Sequence, residues 1–169
     1  MSHDEVHQPV YINGLQLPTY LIQLINEGRW GGDIETQRIL TQRIREMAGL
    51  EQLAPSSVFD IFSFDGIETM KCETEAGIAL FHDGYGEIYG LTSSSSISIT
   101  DHSTENRELL DVQCAIIIGG TRDEEVIALD YRLDVNNPVV VLGYWEGDCA
   151  CRWRTLALDF VTFAERLGL

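Results

Sequence analysis

Cys149-Ala150-Cys151 is the stretch whose residue types and spacing come nearest to chemistry in this chain. Thiolates bind zinc, but a structural zinc site takes four ligands and a C-x-C pair with no second spaced pair supplies two. Cys72, Cys114 and His102 would have to converge on that pair through folding. No basic and apolar leader opens the chain at Met1-Ser2-His3-Asp4-Glu5, so an oxidising compartment is not implied and the four cysteines read as reduced thiols.

Three other constellations fall short of a catalytic motif. Gly119-Gly120-Thr121 follows three isoleucines as a phosphate-binding turn would, but it lacks the G-x-G-x-x-G spacing and the G-K-[ST] ending. The acidic Asp123-Glu124-Glu125 after it would repel phosphate, so the segment reads as a hairpin loop. His3, His7, His82 and His102 have no serine in a G-x-S-x-G elbow to serve. Asp130 and Arg132, two apart along a strand, share a face and read as a structural ion pair. The sequence therefore assigns no catalytic residue, no metal and no cofactor.

Charge says more. The net charge is -16 over 169 residues, and Lys71 is the single lysine among eleven cations. Between Asp60 and Asp148 there are 18 acidic residues against 4 basic ones, a balance of -14. Such a surface repels nucleic-acid backbones and suits a basic protein partner. Asp101, Glu105, Glu108, Asp123, Glu124 and Glu125 are the candidate partner-binding residues, because complementary potential speeds encounter and discriminates partners. Arg38, Arg43 and Arg45 make one local basic excess, read as a solvated helix face. No apolar run approaches the roughly 20 residues of a membrane helix, and the chain is expected to be cytoplasmic.

The elements that must position these residues follow from pattern. Residues 1–9 read as a flexible N-terminus and 10–169 as a single domain. Asn13-Gly14 predicts a hairpin between Val10-Tyr11-Ile12 and Leu15-Gln16. Pro18 opens a helix ended by Gly28, and Asp33 caps a second helix that runs to Ala48 before Gly49. Val58 to Phe64 reads as a strand, and Asp65 as the cap of a short helix to about Cys72. Ile78 to Phe81 and Glu87 to Tyr89 read as a hairpin, and Ile97 to Thr100 as a half-exposed strand. Leu109 to Gln113 reads as a helical turn leading into the buried strand Ala115 to Ile118. Val126 to Leu129 and Val139 to Trp145 are two more buried strands, and Asp159 caps a closing helix with Phe160, Phe163, Ala164 and Leu167 at helical spacing. Strands cluster in the second half with helices toward both ends. The expected fold is α+β, an antiparallel or mixed sheet flanked by N-terminal and C-terminal helices.

Several of these segments also resemble a known family. Ile127-Ala128-Leu129-Asp130-Tyr131-Arg132, Asn137-Pro138-Val139-Val140, Trp145, Cys151-Arg152-Trp153-Arg154 and the helix from Phe160 to Leu169 look like the C-terminal signature of the SUKH superfamily. Leu17-Pro18 and Gly28-Arg29-Trp30 resemble the N-terminal segment of a bacterial branch of it. The likeness is carried by residues 110–169 and 10–30 and is thinnest over 50–108. That superfamily groups bacterial immunity proteins with fungal cell-wall-synthesis regulators. The resemblance implies one α+β domain with about six strands that acts by binding, not catalysis, and has no shared catalytic residues. Asp130, Arg132, Trp145 and Trp153 would be structural, and the unmatched middle would choose the partner. A cognate toxin with a basic surface, such as a nuclease, is the partner it implies; a regulatory or scaffold domain with an endogenous partner is the alternative.

Overall fold

Asn13-Gly14 dictates the first element. Asn13 (φ +53°) and Gly14 (φ +72°) are both left-handed, the geometry of a two-residue turn that matches strand twist. They join β1 (Tyr11–Ile12) to β2 (Leu15–Gln16) in the antiparallel hairpin that their sequence predicts. The computed structural model describes residues 8–50, 61–93, 109–122, 125–145 and 151–169. Pro18 precedes α1 (Thr19–Asn26), and Gly28, at φ +68°, turns the chain away after it. α2 (Ile34–Met47) is capped by Asp33, whose carboxylate accepts the Thr36 N–H at 2.8 Å.

The strand expected over Val58 to Phe64 is the short β3 (Ser63–Phe64); residues 58–60 lie outside the described residues. Beyond it the chain departs from expectation. Asp65 does not cap: Gly66 holds the cap position, and α3 runs from Ile67 through Leu80 instead of stopping near Cys72. The hairpin expected over Ile78–Tyr89 is not formed. α3 passes into a wide turn at Phe81–Tyr85, where Gly84 takes φ +90°, and then into the short α4 (Gly86–Tyr89). The reason is the spacing of Met70, Thr74, Gly77, Ile78 and Phe81, which puts them on one helical face. Met70, Thr74 and Gly77 are buried there. A short apolar run alone does not distinguish strand from helix.

Gly90, left-handed at φ +62°, leads into β4 (Leu91–Thr92), which pairs in parallel with β5 (Leu110–Asp111). The helical turn expected over Leu109 to Gln113 is thus extended at its centre, because Leu110 and Val112 are both buried beside β4. The expected strand at Ile97 to Thr100 lies outside the described residues.

The rest of the chain is the main sheet. β6 (Ala115–Gly120), β7 (Val126–Asp130), β8 (Val139–Trp145) and β9 (Cys151–Ala157) complete an antiparallel sheet in the order β3-β6-β7-β8-β9, and α5 (Phe160–Leu167) closes the chain. The fold is α+β, with five strands in the sheet where about six were expected. Alternation on the strands assigns the faces. Ile116, Ile118, Ile127, Leu129, Val140 and Leu142 point to a core shared with α1, α2 and α5. Ala115, Ala128, Val139, Val141, Cys151 and Trp153 point to a second, smaller cluster that also takes in Leu91, Leu110 and Val112. Asp159 caps α5 through the Thr162 N–H at 2.7 Å. Phe160, Phe163, Ala164 and Leu167 are buried, as their spacing predicts.

Gly119 and Gly120 are strand residues, not a loop. A Cβ on Gly119 would meet the Ser63 carbonyl oxygen at 2.7 Å, so β3 sits against β6 only because that side chain is missing. Gly119→Ala should push β3 off the sheet edge and cost about 1–3 kcal/mol. Chemical unfolding followed by circular dichroism would measure that loss, and a stability equal to the parent's would contradict this account of the edge.

Candidate functional site

Three residues fix the backbone of Asp65. The Trp30 ring packs edge-on against Phe64, with centroids 4.8 Å apart, and its Nε1–H donates to the Asp65 carbonyl at 3.1 Å. The Asp65 N–H donates in turn to the carbonyl of Ile118 at 3.1 Å. Trp30 is itself set by Phe160 at 5.7 Å, so the first helical layer, the sheet and β3 together locate one carboxyl group.

That carboxyl opens onto a cleft of about 680 Å³ between α3, the start of α2 and the β3-β6-β7 edge. The volume lies within the range of small-molecule and side-chain pockets. Ile61, Leu80, Ile117 and Val126 give it apolar walls, and Asp65, Glu73, Arg122 and Glu125 bring charge to it. Asp65 is 9% exposed, and among the described residues its carboxylate accepts no hydrogen bond. Burial, reinforced by the negative charge of Glu73, pushes its pKa up from 3.8 to about 6.

Glu125 lines the same cleft but is committed inward. Its Oε2 lies 2.8 Å from Arg45 Nη2, and the two side chains are 15% and 5% exposed. Arg45, expected on the solvated face of α2, is therefore buried and ties that helix to the start of β7. The spacing of Leu40, Thr41 and Ile44 places Arg45 at the edge of the buried stripe, which the sequence shows only once the partner carboxylate is known. Of the six acidic residues expected to contact a partner, Asp101, Glu105, Glu108, Asp123 and Glu124 lie outside the described residues.

The remaining chemistry-bearing residues are structural or scattered. Asp130 and Arg132 pair as their spacing predicts, with Nη2 2.6 Å from Oδ2 and Nε 3.0 Å from Oδ1. Tyr131 between them points to the opposite face, where its hydroxyl donates to the Gln16 carbonyl at 2.7 Å, and burial raises its pKa. Cys72 is exposed on α3, Cys114 is half-buried with its thiol pKa raised by burial and by Asp111, and Cys151 is buried on β9. Cys149 lies outside the described residues. Among the described residues no group of three His, Cys, Asp or Glu side chains gathers to hold a metal ion. Nor is any helix long and apolar enough to cross a membrane.

Compared with protein-family models, curated proteins and solved structures, the chain shows no significant match. Sequence reading missed the pairing of Asp65 with Glu73. Their separation of eight residues becomes meaningful only once α3 extends past Cys72, and the usable signal was the run of helical spacing from Met70 to Phe81.

Two measurements test the site. Glu125→Ala leaves the Arg45 guanidinium without this buried partner and should lower stability on the order of 3 kcal/mol in urea unfolding. A loss within error of zero would show the pair to be dispensable. Asp65 has its folded-state pKa raised, so its protonation favours the fold: that contribution is complete below about pH 4 and is lost as pH rises through about 6. Asp65→Asn should therefore be more stable than the parent at pH 7.5, by about 1–2 kcal/mol once solvent screening at the open cleft is allowed for, with the advantage smaller at pH 5. An Asn variant less stable at pH 7.5 would mean that the ionised carboxylate has a partner.

Proposed function

We propose that this chain is a non-catalytic protein-binding domain, an immunity protein that neutralises a cognate toxin through its acidic surface. The observation that carries this reading is the stretch from Asp65 to Tyr89, which holds six acidic residues against Lys71 alone. Glu68, Glu73, Glu75, Asp83 and Glu87 are all exposed along α3, its terminal turn and α4. Lys71 is engaged with Glu68 at 3.2 Å, which leaves that surface strongly negative.

Two further points support it. Asp130 and Arg132, the polar pair in the sharpest segment of the chain, spend their charge on each other within the fold. The acidic helix falls within residues 50–108, the part with least likeness to the SUKH pattern, where partner choice would reside. A basic toxin, such as a nuclease with a positively charged substrate groove, presents the complementary potential. Its capture by this face would occlude that groove.

The test is binding and protection against toxin domains encoded beside the gene for this chain. Association should slow about tenfold or more between 50 and 500 mM salt, since exposed charges are screened beyond roughly 8 Å at physiological ionic strength. The double substitution Glu75→Lys and Glu87→Lys should slow association further at low salt while leaving thermal stability near the parent's. An on-rate indifferent to salt and to charge reversal would remove the acidic face from the mechanism. Failure to bind or protect against any neighbouring toxin, with capture of an endogenous protein instead, would replace immunity by a regulatory or scaffold role.

A further inference from the structure

We infer that the cleft at Asp65 is an anchoring pocket that takes one cationic side chain, arginine or lysine, from a bound polypeptide. The inference rests on the protein-binding reading and assigns a specific site within it. The first observation is the carboxyl itself: nine-tenths buried, facing the cleft, and accepting no hydrogen bond among the described residues. Such a carboxyl meets solvent only through the cleft and is costly to ionise there, whereas a guanidinium or ammonium donor would bind it and offset its charge.

The second observation is the shape and lining of the space. Ile61, Leu80, Ile117 and Val126 line it with apolar surface suited to the methylene stem of a long cationic side chain, and Asp65 with Glu73 can receive its charged head. Arg122 also lines the cleft, yet the causes that act on the Asp65 carboxyl, burial first and then Glu73, both push its pKa up. Arg45, buried on α2, is paired with Glu125, which lines the cleft.

The third observation selects a polypeptide over a free small amine. At about 680 Å³ the cleft holds more than one side chain, leaving room for the backbone that carries the anchor. Glu73 belongs both to the cleft and to the exposed acidic face of α3, so a partner docked on that face has its side chains at the mouth of the pocket. A buried cationic anchor surrounded by weaker electrostatic contacts is how binding energy is commonly concentrated at interfaces.

The experiment is an NMR titration of the full chain with N-acetyl-arginine methylamide. Its neutral isostere N-acetyl-citrulline methylamide is the control, and agmatine is a third arm. Saturable shifts at the amides of Gly77, Gly119 and Gly120 with the arginine probe, much weaker ones with citrulline, and an affinity loss of about tenfold in Asp65→Asn are expected. Glu73→Gln should weaken binding by a smaller factor. The Asn variant removes a buried charge, so it is expected to fold at least as well as the parent. Equal shifts with citrulline, undiminished binding in Asp65→Asn, or shifts confined to Glu68 and Glu75 would overturn the inference. So would binding of agmatine with exclusion of the capped arginine, which would make the cleft a small-amine site. Toxin binding that responds to the α3 charge reversals but not to Asp65→Asn would leave the protein-binding reading standing and remove only the anchor.

Discussion

Both faces of the main sheet are buried, and the rest of the molecule follows from that constraint. Antiparallel sheets commonly leave one face to water and show alternating polarity. Here six consecutive residues of β8, Val139 to Tyr144, are buried, so the strand reads as a continuous apolar run. Helices must then cover two surfaces: α1, α2 and α5 take one, while α3 and the β4-β5 segment take the other. With the central strands β6, β7 and β8 covered on both faces, the described acidic residues Glu68, Glu73, Glu75, Asp83 and Glu87 meet water on the outer surface of α3, its terminal turn and α4. The concentration of negative charge there is a consequence of the architecture as much as of composition.

Close approach at the sheet edge converts this layering into a cleft. β3 lies against β6 where Gly119 has no side chain, and α3 comes down on β6 with the Thr74 hydroxyl accepting the Ile117 N–H. Arg45 and Glu125 clamp α2 to the beginning of β7 from the other side. Gly119, the Thr74 hydroxyl and one buried ion pair thus set the walls, and Trp30 sets the position of Asp65 between them. Their effect is to hold one carboxyl in a fixed, poorly solvated place.

Much of the fold was legible because its signals are local. Asn13-Gly14, Asp33 and Asp159 each specify a turn or cap through their own backbone preferences, and the β-branched runs at Ile116 and Val139 specify strands. The Asp130-Arg132 pair was expected from strand alternation, but β7 ends at Asp130, and a turn in which the Arg132 N–H donates to the Asp130 carboxylate brings the two side chains together. What failed was non-local. Ile78 to Phe81 has the composition of a strand and becomes helix because Gly77 and Thr74 fit it to the sheet, with the Thr74 hydroxyl accepting the Ile117 N–H at 3.0 Å. Arg45 looks like a surface cation until Glu125 is brought to it across eighty residues. Asp65 looks like a cap because aspartate before a helix usually is one. The adjacent Gly66 takes that position and frees the carboxyl for the cleft.

The contrast among the buried carboxylates sharpens the meaning of Asp65. Asp130 receives two donors from Arg132 within 3.1 Å, and Glu125 faces Arg45 at 2.8 Å. Those are carboxylates that hold a fold together: each has its charge answered by a guanidinium and its oxygens occupied. Among the described residues Asp65 has neither, and the charge that acts on it, that of Glu73, has the same sign. A neutral asparagine could occupy its backbone position, because Trp30 and Ile118 engage only main-chain groups there. The fold therefore holds a carboxyl that burial makes costly to ionise at a place where no described residue bonds to it. A carboxyl of that kind, set in a well-packed frame, is the observation on which the proposed cationic anchor rests.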